Sequence, residues 1–241
     1  MPDATKIETI SELLKAAKWL EGKTLAEISD SIKDEDFVPR VSSKAYVGYV
    51  IEKGYFQIER NNDSKPDFPQ LGVELKTCPL KYNKSKTKLT VKEPLSLNII
   101  NYKLECQNTD LTESSLFKKN RTILFVFYIH DFEKKRSEYL IKYTFIWHMD
   151  KQVISELNPD YLKIIKMINA GKAHEIHQDQ HKYLTICPKH GGKFKDPLCK
   201  KSKTTQPFSK APAEVRAFRL KNAYVDLIIS RELETNPYWP R

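Results

Sequence analysis

The feature that most constrains the fold is a run of seven consecutive apolar residues at positions 123–129, Ile-Leu-Phe-Val-Phe-Tyr-Ile. Apolar residues without polar alternation are typical of a strand that is buried on both faces. The segment at 138–149 is also rich in apolar residues and predicts a neighbouring strand. Neither segment approaches the roughly 18 apolar residues that a membrane span needs, so no membrane partner is expected. The sequence therefore predicts a central sheet covered on both sides.

Helical and strand periodicities occur in turn along the rest of the chain, which predicts an α/β or α+β class with a mixed sheet. Helices are predicted over 7–22, over 24–32 with Thr24 as N-cap, over 42–56, and over 154–171, the last interrupted or begun near Pro159. Strands are predicted over 71–78, 95–102 and 181–188, with a polar loop at 60–69 and a long loop at 189–212. Residues 213–233 predict a final amphipathic helix, although their first half also fits a strand or turn.

The charge of the chain is positive but unevenly distributed. The formal net charge is +10, yet residues 1–36 carry 5 Lys and 9 Asp or Glu. Residues 81–92 hold 5 Lys and no acid, and residues 172–221 hold 12 Lys or Arg against 4 acids. Such basic tracts favour a polyanionic partner, while a lysine-rich solvated surface is the alternative. We expect residues 1–36 to form an N-terminal helical segment away from the substrate, and residues 37–241 to form the functional domain.

The four cysteines predict a reducing, cytoplasmic setting rather than a disulfide scaffold, because they are few and scattered. The N-terminus is acidic and amphipathic, unlike a secretory signal. Cys187, His190 and Cys199 have a spacing that suggests zinc, but a clear fourth ligand is missing, so a small buried thiol is the preferred interpretation.

The candidate catalytic residues lie in one segment, residues 65–79, with the sequence Lys-Pro-Asp-Phe-Pro-Gln-Leu-Gly-Val-Glu-Leu-Lys-Thr-Cys-Pro. Glu74 and Lys76 are two apart and share a face of a strand, while Asp67 ends the preceding turn and can lie beside Glu74. Two carboxylates make an oxygen-rich site that suits Mg²⁺, and the lysine can act on an attacking water or offset charge on phosphorus. The alternative is a surface Glu–Lys pair worth about 0–1 kcal/mol.

The complete segment 65–79 resembles the active-site segment of MutH mismatch-repair nicking endonucleases and of the related Sau-type restriction endonucleases that cut GATC. Other stretches resemble the same family in the same order, and the similarity is stronger to the restriction branch. These stretches are KAYVGYVIE (44–52), EPLSLNIINY (93–102), TESSLFKKNRTILF (112–125), GKAHEI (171–176), YLTICPK (183–189) and QPFSKAPAEVRAFRLKNAY (206–224). The resemblance thus covers residues 42–233.

This resemblance implies a restriction-endonuclease-like fold, with a mixed central sheet flanked by helices and two lobes around a DNA cleft. It implies a Mg²⁺-dependent type II restriction endonuclease that hydrolyses double-stranded DNA at GATC or a close variant. The alternatives are a MutH-like enzyme that nicks one strand and a nuclease-dead, sequence-specific DNA-binding module. The expected partners are double-stranded DNA, a second copy as a dimer on DNA or a second MutH-like domain, and a cognate DNA methyltransferase.

The family's functional residues map onto matching positions of this sequence. Asp67 and Glu74 match the metal-binding acids, Glu52 the helix glutamate that completes the site, Lys76 the catalytic lysine, and Lys119 a second lysine near the scissile phosphate. The DNA-contacting positions are Lys44, Pro188, Lys189, Arg219 and Lys221.

Two of the matched positions depart from MutH. Cys187 replaces a MutH arginine, as in the restriction branch, and Arg219 stands where MutH has the tyrosine that tests adenine methylation. MutH-like sensitivity to adenine methylation is therefore not expected.

Overall fold

A computed structural model describes residues 1–32, 34, 37–59, 65–189 and 203–235. The helices are α1 (Ile10–Lys18), α2 (Leu25–Asp30), α3 (Tyr46–Gly48), which continues as a π-helical segment (Tyr49–Tyr55), α4 (Tyr102–Glu105), α5 (Ser115–Asn120), α6 (Lys151–Asn169) and α7 (Asn222–Thr235). The strands are β1 (Glu74–Tyr82), β2 (Leu89–Val91), β3 (Leu95–Ile99), β4 (Thr122–Ile129), β5 (Leu140–His148), β6 (Leu184–Pro188), β7 (Lys203–Thr204), β8 (Ala213–Glu214) and β9 (Arg216–Leu220).

The chain divides into two compact units. The first unit combines residues 1–93 with 119–148, and the second combines residues 94–118 with 149–241. Within the described residues, no helix is long and apolar enough to span a bilayer.

The first unit is built on a four-stranded mixed sheet in the order β2-β1-β4-β5. Strand β4 contains the apolar run and pairs in parallel with β1 and antiparallel with β5. Its residues Leu124 to Phe127 have no exposed surface, as expected for a strand covered on both faces. The predicted central strand and the predicted mixed sheet flanked by helices are confirmed.

The N-terminal helices pack into the same core as the sheet. Helices α1 and α2 each begin with a capping box, formed by Thr9 with Glu12 and by Thr24 with Glu27, which satisfies backbone N–H groups of the first turn. In the predicted helix 42–56, one stripe of apolar residues is buried throughout, namely Tyr46, Val47, Val50, Ile51 and Tyr55. One cluster of buried side chains joins α1, α2, the α3 segment, β1, β4 and the start of β5. Strand β1 begins at Glu74, later than predicted, and forms a hairpin with β2 across the lysine-rich tract.

The second unit contains the antiparallel sheet β3-β9-β6 and the long helix α6. The predicted interruption near Pro159 is wrong, because α6 runs continuously from Lys151 to Asn169 with Pro159 inside it. An internal proline costs a helix about 3 kcal/mol or more. Here Leu157 and Tyr161, which flank Pro159 on one face of the helix, are both completely buried. Packing of this apolar face offsets that cost.

The prediction of one helix over 213–233 is wrong in its first half, which forms strands, as the alternative interpretation had it. Strand β9 lies between β3 and β6 and is hydrogen-bonded to both, so tertiary pairing decides its conformation. The predicted loop at 189–212 contains the short strand β7, which pairs with β8. His190 and Cys199, and with them the zinc hypothesis, lie outside the described residues.

Candidate active site

A tight turn before β1 brings Asp67 alongside the strand. The backbone amides of Phe68 and Val73 donate to each other's carbonyl oxygens at 2.8 and 3.2 Å, which folds residues 68–73 back on themselves. Gly72 lies in this turn with a φ of +66°, a conformation that side-chain-bearing residues rarely adopt. The half-buried Asp67 then accepts a hydrogen bond from the amide of Leu75 through Oδ2 at 2.9 Å. The turn therefore places one carboxylate beside the first residues of β1.

Glu74 is the second carboxylate of this site and is nearly inaccessible, with 3% of its surface exposed. The Lys76 ammonium donates to Glu74 Oε1 at 2.5 Å, as expected for side chains two apart on a strand. The Lys119 ammonium, from the end of α5, lies 3.9 Å from Oε2 of the same carboxylate. Oε2 is buried and has no hydrogen-bond partner among the residues that the structure describes. The structure thus brings Asp67, Glu74, Lys76 and Lys119 together.

Burial raises the pKa of Glu74, and the negative charge of Asp67 raises it further. Lys76 and Lys119 act in the opposite direction and favour the ionised form. A carboxylate that is desolvated in this way gains more from a nearby cation than an exposed one does, because little water competes for its oxygens.

The donor set of this site fits a hard divalent cation. Asp67 and Glu74 contribute carboxylate oxygens, and Oε2 of Glu74 is an acceptor for which the described residues provide no hydrogen-bond donor. Across the part of the chain that the structure describes, no three Asp, Glu, His or Cys side chains converge as a ready-made metal site. Two carboxylates are nevertheless compatible with Mg²⁺, which keeps several waters and binds phosphate oxygens as well.

Glu52 lies on the π-helical segment that follows α3, and its carboxylate folds back over its own helix. Its Oε1 is 3.1 Å from the position that a Cβ atom on Gly48 would take, one helical turn earlier. A side chain at residue 48 would therefore press on this carboxylate. The assignment of Glu52 to the metal site stays a prediction.

Arg121 is a residue near the site that sequence reasoning did not single out. It is exposed, precedes β4, and places its guanidinium over the backbone of Gly72, with Nη2 3.3 Å from the position that a Cβ atom on this glycine would take. The sequence feature that could have pointed to Arg121 is its position two residues after Lys119 and directly before β4, the strand that pairs in parallel with β1.

The other predicted DNA-contacting residues fall in both units. Lys44 is exposed just before α3 in the first unit. In the second unit, Pro188 ends β6, and the amide of Lys189 donates to the carbonyl of Val215 at 2.8 Å. The ammonium of Lys221 donates a hydrogen bond to the carbonyl oxygen of His181.

Arg219 lies on β9 opposite Thr185 of β6 and Ser96 of β3, and its buried Nε has no hydrogen-bond partner in the described part of the chain. The DNA contacts of these residues stay predictions.

Asp160 holds the start of strand β6 in place. This carboxylate is 2% exposed and accepts hydrogen bonds from three consecutive backbone amides, those of Lys182, Tyr183 and Leu184, at 2.7–3.1 Å. Strand β6 leads directly to Pro188 and Lys189, so Asp160 anchors the strand from which these two residues extend.

Comparison with known proteins agrees with this geometry. Residues 56–160, which include Asp67, Glu74, Lys76 and Lys119, match the model of the DNA mismatch repair enzyme MutH. The chain is 35% identical over 219 residues to the type II restriction enzyme Sau3AI of Staphylococcus aureus, a match that covers 89% of this chain and 41% of that enzyme. The chain therefore spans less than half the length of this relative.

MutH proteins are also similar to the chain. The DNA mismatch repair protein MutH of Actinobacillus pleuropneumoniae is 28% identical over 182 residues, 74% of this chain and 76% of that protein. MutH of Shewanella baltica is 29% identical over 188 residues, which are 76% of this chain and 78% of that protein. Both the restriction enzyme and the MutH proteins thus align with most of this chain, and the resemblance inferred from residues 65–79 is confirmed.

Proposed function

We propose that this chain is a Mg²⁺-dependent, site-specific endonuclease of the type II restriction class that cuts double-stranded DNA at GATC or a close variant. The observation that carries the proposal is the cluster in which Glu74, buried beside Asp67, faces the ammonium groups of Lys76 and Lys119. Phosphodiester hydrolysis needs this combination, namely acidic metal ligands together with cations where negative charge develops. The higher identity to Sau3AI, 35% against 28% and 29% for the two MutH proteins above, supports the restriction class.

The side chains divide the chemical work as follows. Asp67 and Glu74 hold Mg²⁺, with Glu52 completing the site, and the bound ion would polarise the scissile phosphate. Lys76, fixed by its hydrogen bond to Glu74, orients the attacking water. The ammonium of Lys119, 3.9 Å from Glu74 Oε2, would stabilise the negative charge that builds up on a phosphate oxygen beside this carboxylate.

Sequence recognition belongs to the second unit in this proposal. Pro188 and Lys189 extend from β6, and a lysine that donates to guanine acceptors is a favoured contact in the major groove. Arg219 on β9 and Lys221, the residue after this strand, add cationic groups, and Lys44 adds a contact from the first unit. Each of these cations can bind a phosphate oxygen or a base acceptor. Together they add to the DNA affinity that the catalytic cluster provides.

The remaining parts of the proposal concern cellular context. One site of this kind hydrolyses one strand, so a double-strand cut requires a dimer on DNA, a second MutH-like domain or two visits. A restriction enzyme also requires a cognate methyltransferase and acts where chromosomal and invading DNA meet, in the cytoplasm. We place the endonuclease domain at 37–241, with residues 1–36 as an N-terminal helical segment.

A plasmid with GATC sites provides the test. Purified protein is incubated with unmethylated plasmid in Mg²⁺ or in chelator, and supercoiled, nicked and linear forms are separated on a gel. Linear fragments that end at GATC in Mg²⁺ alone support the restriction enzyme, and accumulation of nicked circles at GATC favours the MutH-like alternative. Metal-independent binding without any cleavage would leave the nuclease-dead module and refute the enzyme. A matched plasmid without GATC sites controls for nonspecific cutting.

A further inference from the structure

Arg121 lies at the same edge of the sheet as the catalytic cluster. Strands β1 and β4 pair in parallel with Glu74 opposite Ile123, and two residues earlier Gly72 meets Arg121. Gly72 lies in the turn, two residues before Glu74, and two residues of chain span at most about 7 Å. Lys119 faces Glu74, while Arg121 lies over Gly72, within that reach of Glu74 along the chain.

Arg121 forms no ion pair with the described part of the chain. No carboxylate among the described residues lies within ion-pair distance of its guanidinium, and its side chain is exposed to solvent. In contrast, Lys76 and Lys119 both face Glu74. Arg121 is thus an exposed cation that lies over the backbone turn next to the cluster.

The fit of this side chain depends on a glycine. The turn needs Gly72 for its φ of +66°, and the absence of a Cβ also lets the guanidinium approach the backbone closely, since Nη2 lies 3.3 Å from the position that a Cβ atom would take. A guanidinium binds phosphate oxygens through two parallel N–H groups, a geometry that an ammonium lacks.

We propose that Arg121 binds the DNA phosphate next to the scissile one, on the strand that Lys76 and Lys119 act on. Neighbouring phosphates on one strand rise by about 3.4 Å along the helix axis and, because the strand winds around that axis, lie about 7 Å apart. A cation over Gly72, at most about 7 Å of chain from Glu74, is therefore placed for a neighbouring phosphate. The contact is independent of base sequence and fixes the register of the backbone over the cluster. This inference rests on the proposed nuclease function.

The salt dependence of DNA binding tests this contact. Binding of a fluorescent duplex that contains one GATC site is measured in Ca²⁺, which replaces Mg²⁺ so that no cutting is expected, between 50 and 200 mM salt. Each lost phosphate contact makes the slope of log K against log salt less negative by about 0.9. Between 50 and 200 mM salt, such a variant therefore loses about 3.5-fold less affinity than the wild type does. Variants R121A and R121Q should both show this reduction, and R121K should keep the wild-type slope.

The control variant is K15A, which removes one exposed positive charge from α1, a helix that packs against β5 rather than β1. R121Q retains a planar polar group over Gly72, so it serves where R121A fails to fold. An unchanged slope in R121Q, or an equal change in K15A, overturns the assignment of Arg121. Failure of the wild-type protein to bind or cut the duplex refutes the proposed function itself, and the two failures are therefore distinguishable.

Discussion

Lys76 and Glu74 are joined by a hydrogen bond of 2.5 Å between Nζ and Oε1, and both side chains arise from the same face of β1. Glu74 is almost completely buried, while the Lys76 side chain retains 19% exposure. The pair therefore connects a desolvated carboxylate to a partly accessible ammonium. This arrangement differs from an exposed surface pair, for which the interaction is worth about 0–1 kcal/mol.

We expect K76A and E74A to abolish cleavage while DNA binding in Ca²⁺ survives. Loss of one group that stabilises charge in the transition state typically lowers the rate by about 10²–10³-fold. The measurement is the single-turnover rate on a GATC duplex at saturating enzyme. K81A, which changes an exposed lysine of the same strand, should cut at nearly the wild-type rate. Near-normal cutting by K76A would show that the lysine is structural only.

Substitution G48A tests the role of Glu52 without changing that residue. The added Cβ would lie 3.1 Å from Glu52 Oε1, so the carboxylate must shift, whereas alanine is a better helix former than glycine by about 1 kcal/mol. We expect unchanged or higher thermal stability together with a higher Mg²⁺ requirement for cleavage. G54A is the contrasting variant, because its Cβ would come within 2.5–2.8 Å of Ile32 and Phe37 and should reduce stability instead. A wild-type Mg²⁺ dependence in G48A would argue against Glu52 as a ligand.

Removal of the Asp160 carboxylate should destabilise the start of β6. In D160A, the amides of Lys182, Tyr183 and Leu184 lose their shared acceptor, at an expected cost of about 2–4 kcal/mol in the free energy of unfolding. Urea unfolding gives this value, and amide hydrogen exchange should accelerate at these three residues. K163A breaks only the partly exposed ion pair to Asp160 at 3.7 Å and should cost less than about 1 kcal/mol. Equal losses in both variants would contradict the anchoring role.

The pair between Glu156 of α6 and Arg231 of α7 should make stability depend on acid pH. Arg231 donates two hydrogen bonds to the carboxylate at 2.7 and 3.0 Å and, with Tyr224, lowers the pKa of Glu156 to about 2. Because the folded-state pKa lies below the unfolded value of 4.5, the stabilisation is complete above that value and is lost as pH falls towards 2.

The free energy of unfolding, measured from pH 6 to pH 2, should therefore fall less steeply in E156Q than in the wild type. We expect the pair to contribute about 1–2 kcal/mol at neutral pH. E234Q, which changes an exposed carboxylate of α7, the helix of Arg231, should follow the wild-type profile. Superimposable profiles for E156Q and the wild type would show that the pair contributes no pH-dependent stability.

Local physical chemistry accounts for the elements that were predicted correctly. The apolar run at 123–129 became β4 because only a strand covered on both faces buries it completely. The capping boxes at Thr9 and Thr24 mark the starts of α1 and α2, because the side-chain acceptors lie within the same few residues as the amides that they satisfy. Such features depend on residues close together in the chain.

The errors arose where distant residues decide the conformation. Residues 213–220 have a pattern that also fits a helix, but β9 gains hydrogen bonds from β3 and β6, which come from far away in the sequence. Pro159 is a local signal for a break, yet the buried stripe on both sides keeps α6 intact. In both cases tertiary packing outweighs the local preference.

By itself the sequence determined which chemical groups this protein possesses and their spacing along β1, because alternation on a strand places Glu74 and Lys76 on one face whatever surrounds them. Only the tertiary structure decided that Glu74 is buried, that Lys119 reaches it from α5, and that Arg121 lies over Gly72. These relationships depend on the parallel pairing of β1 with β4, which joins segments almost 50 residues apart, from Glu74 to Ile123. No local periodicity encodes that register, since it follows from how the two strands pack into one core.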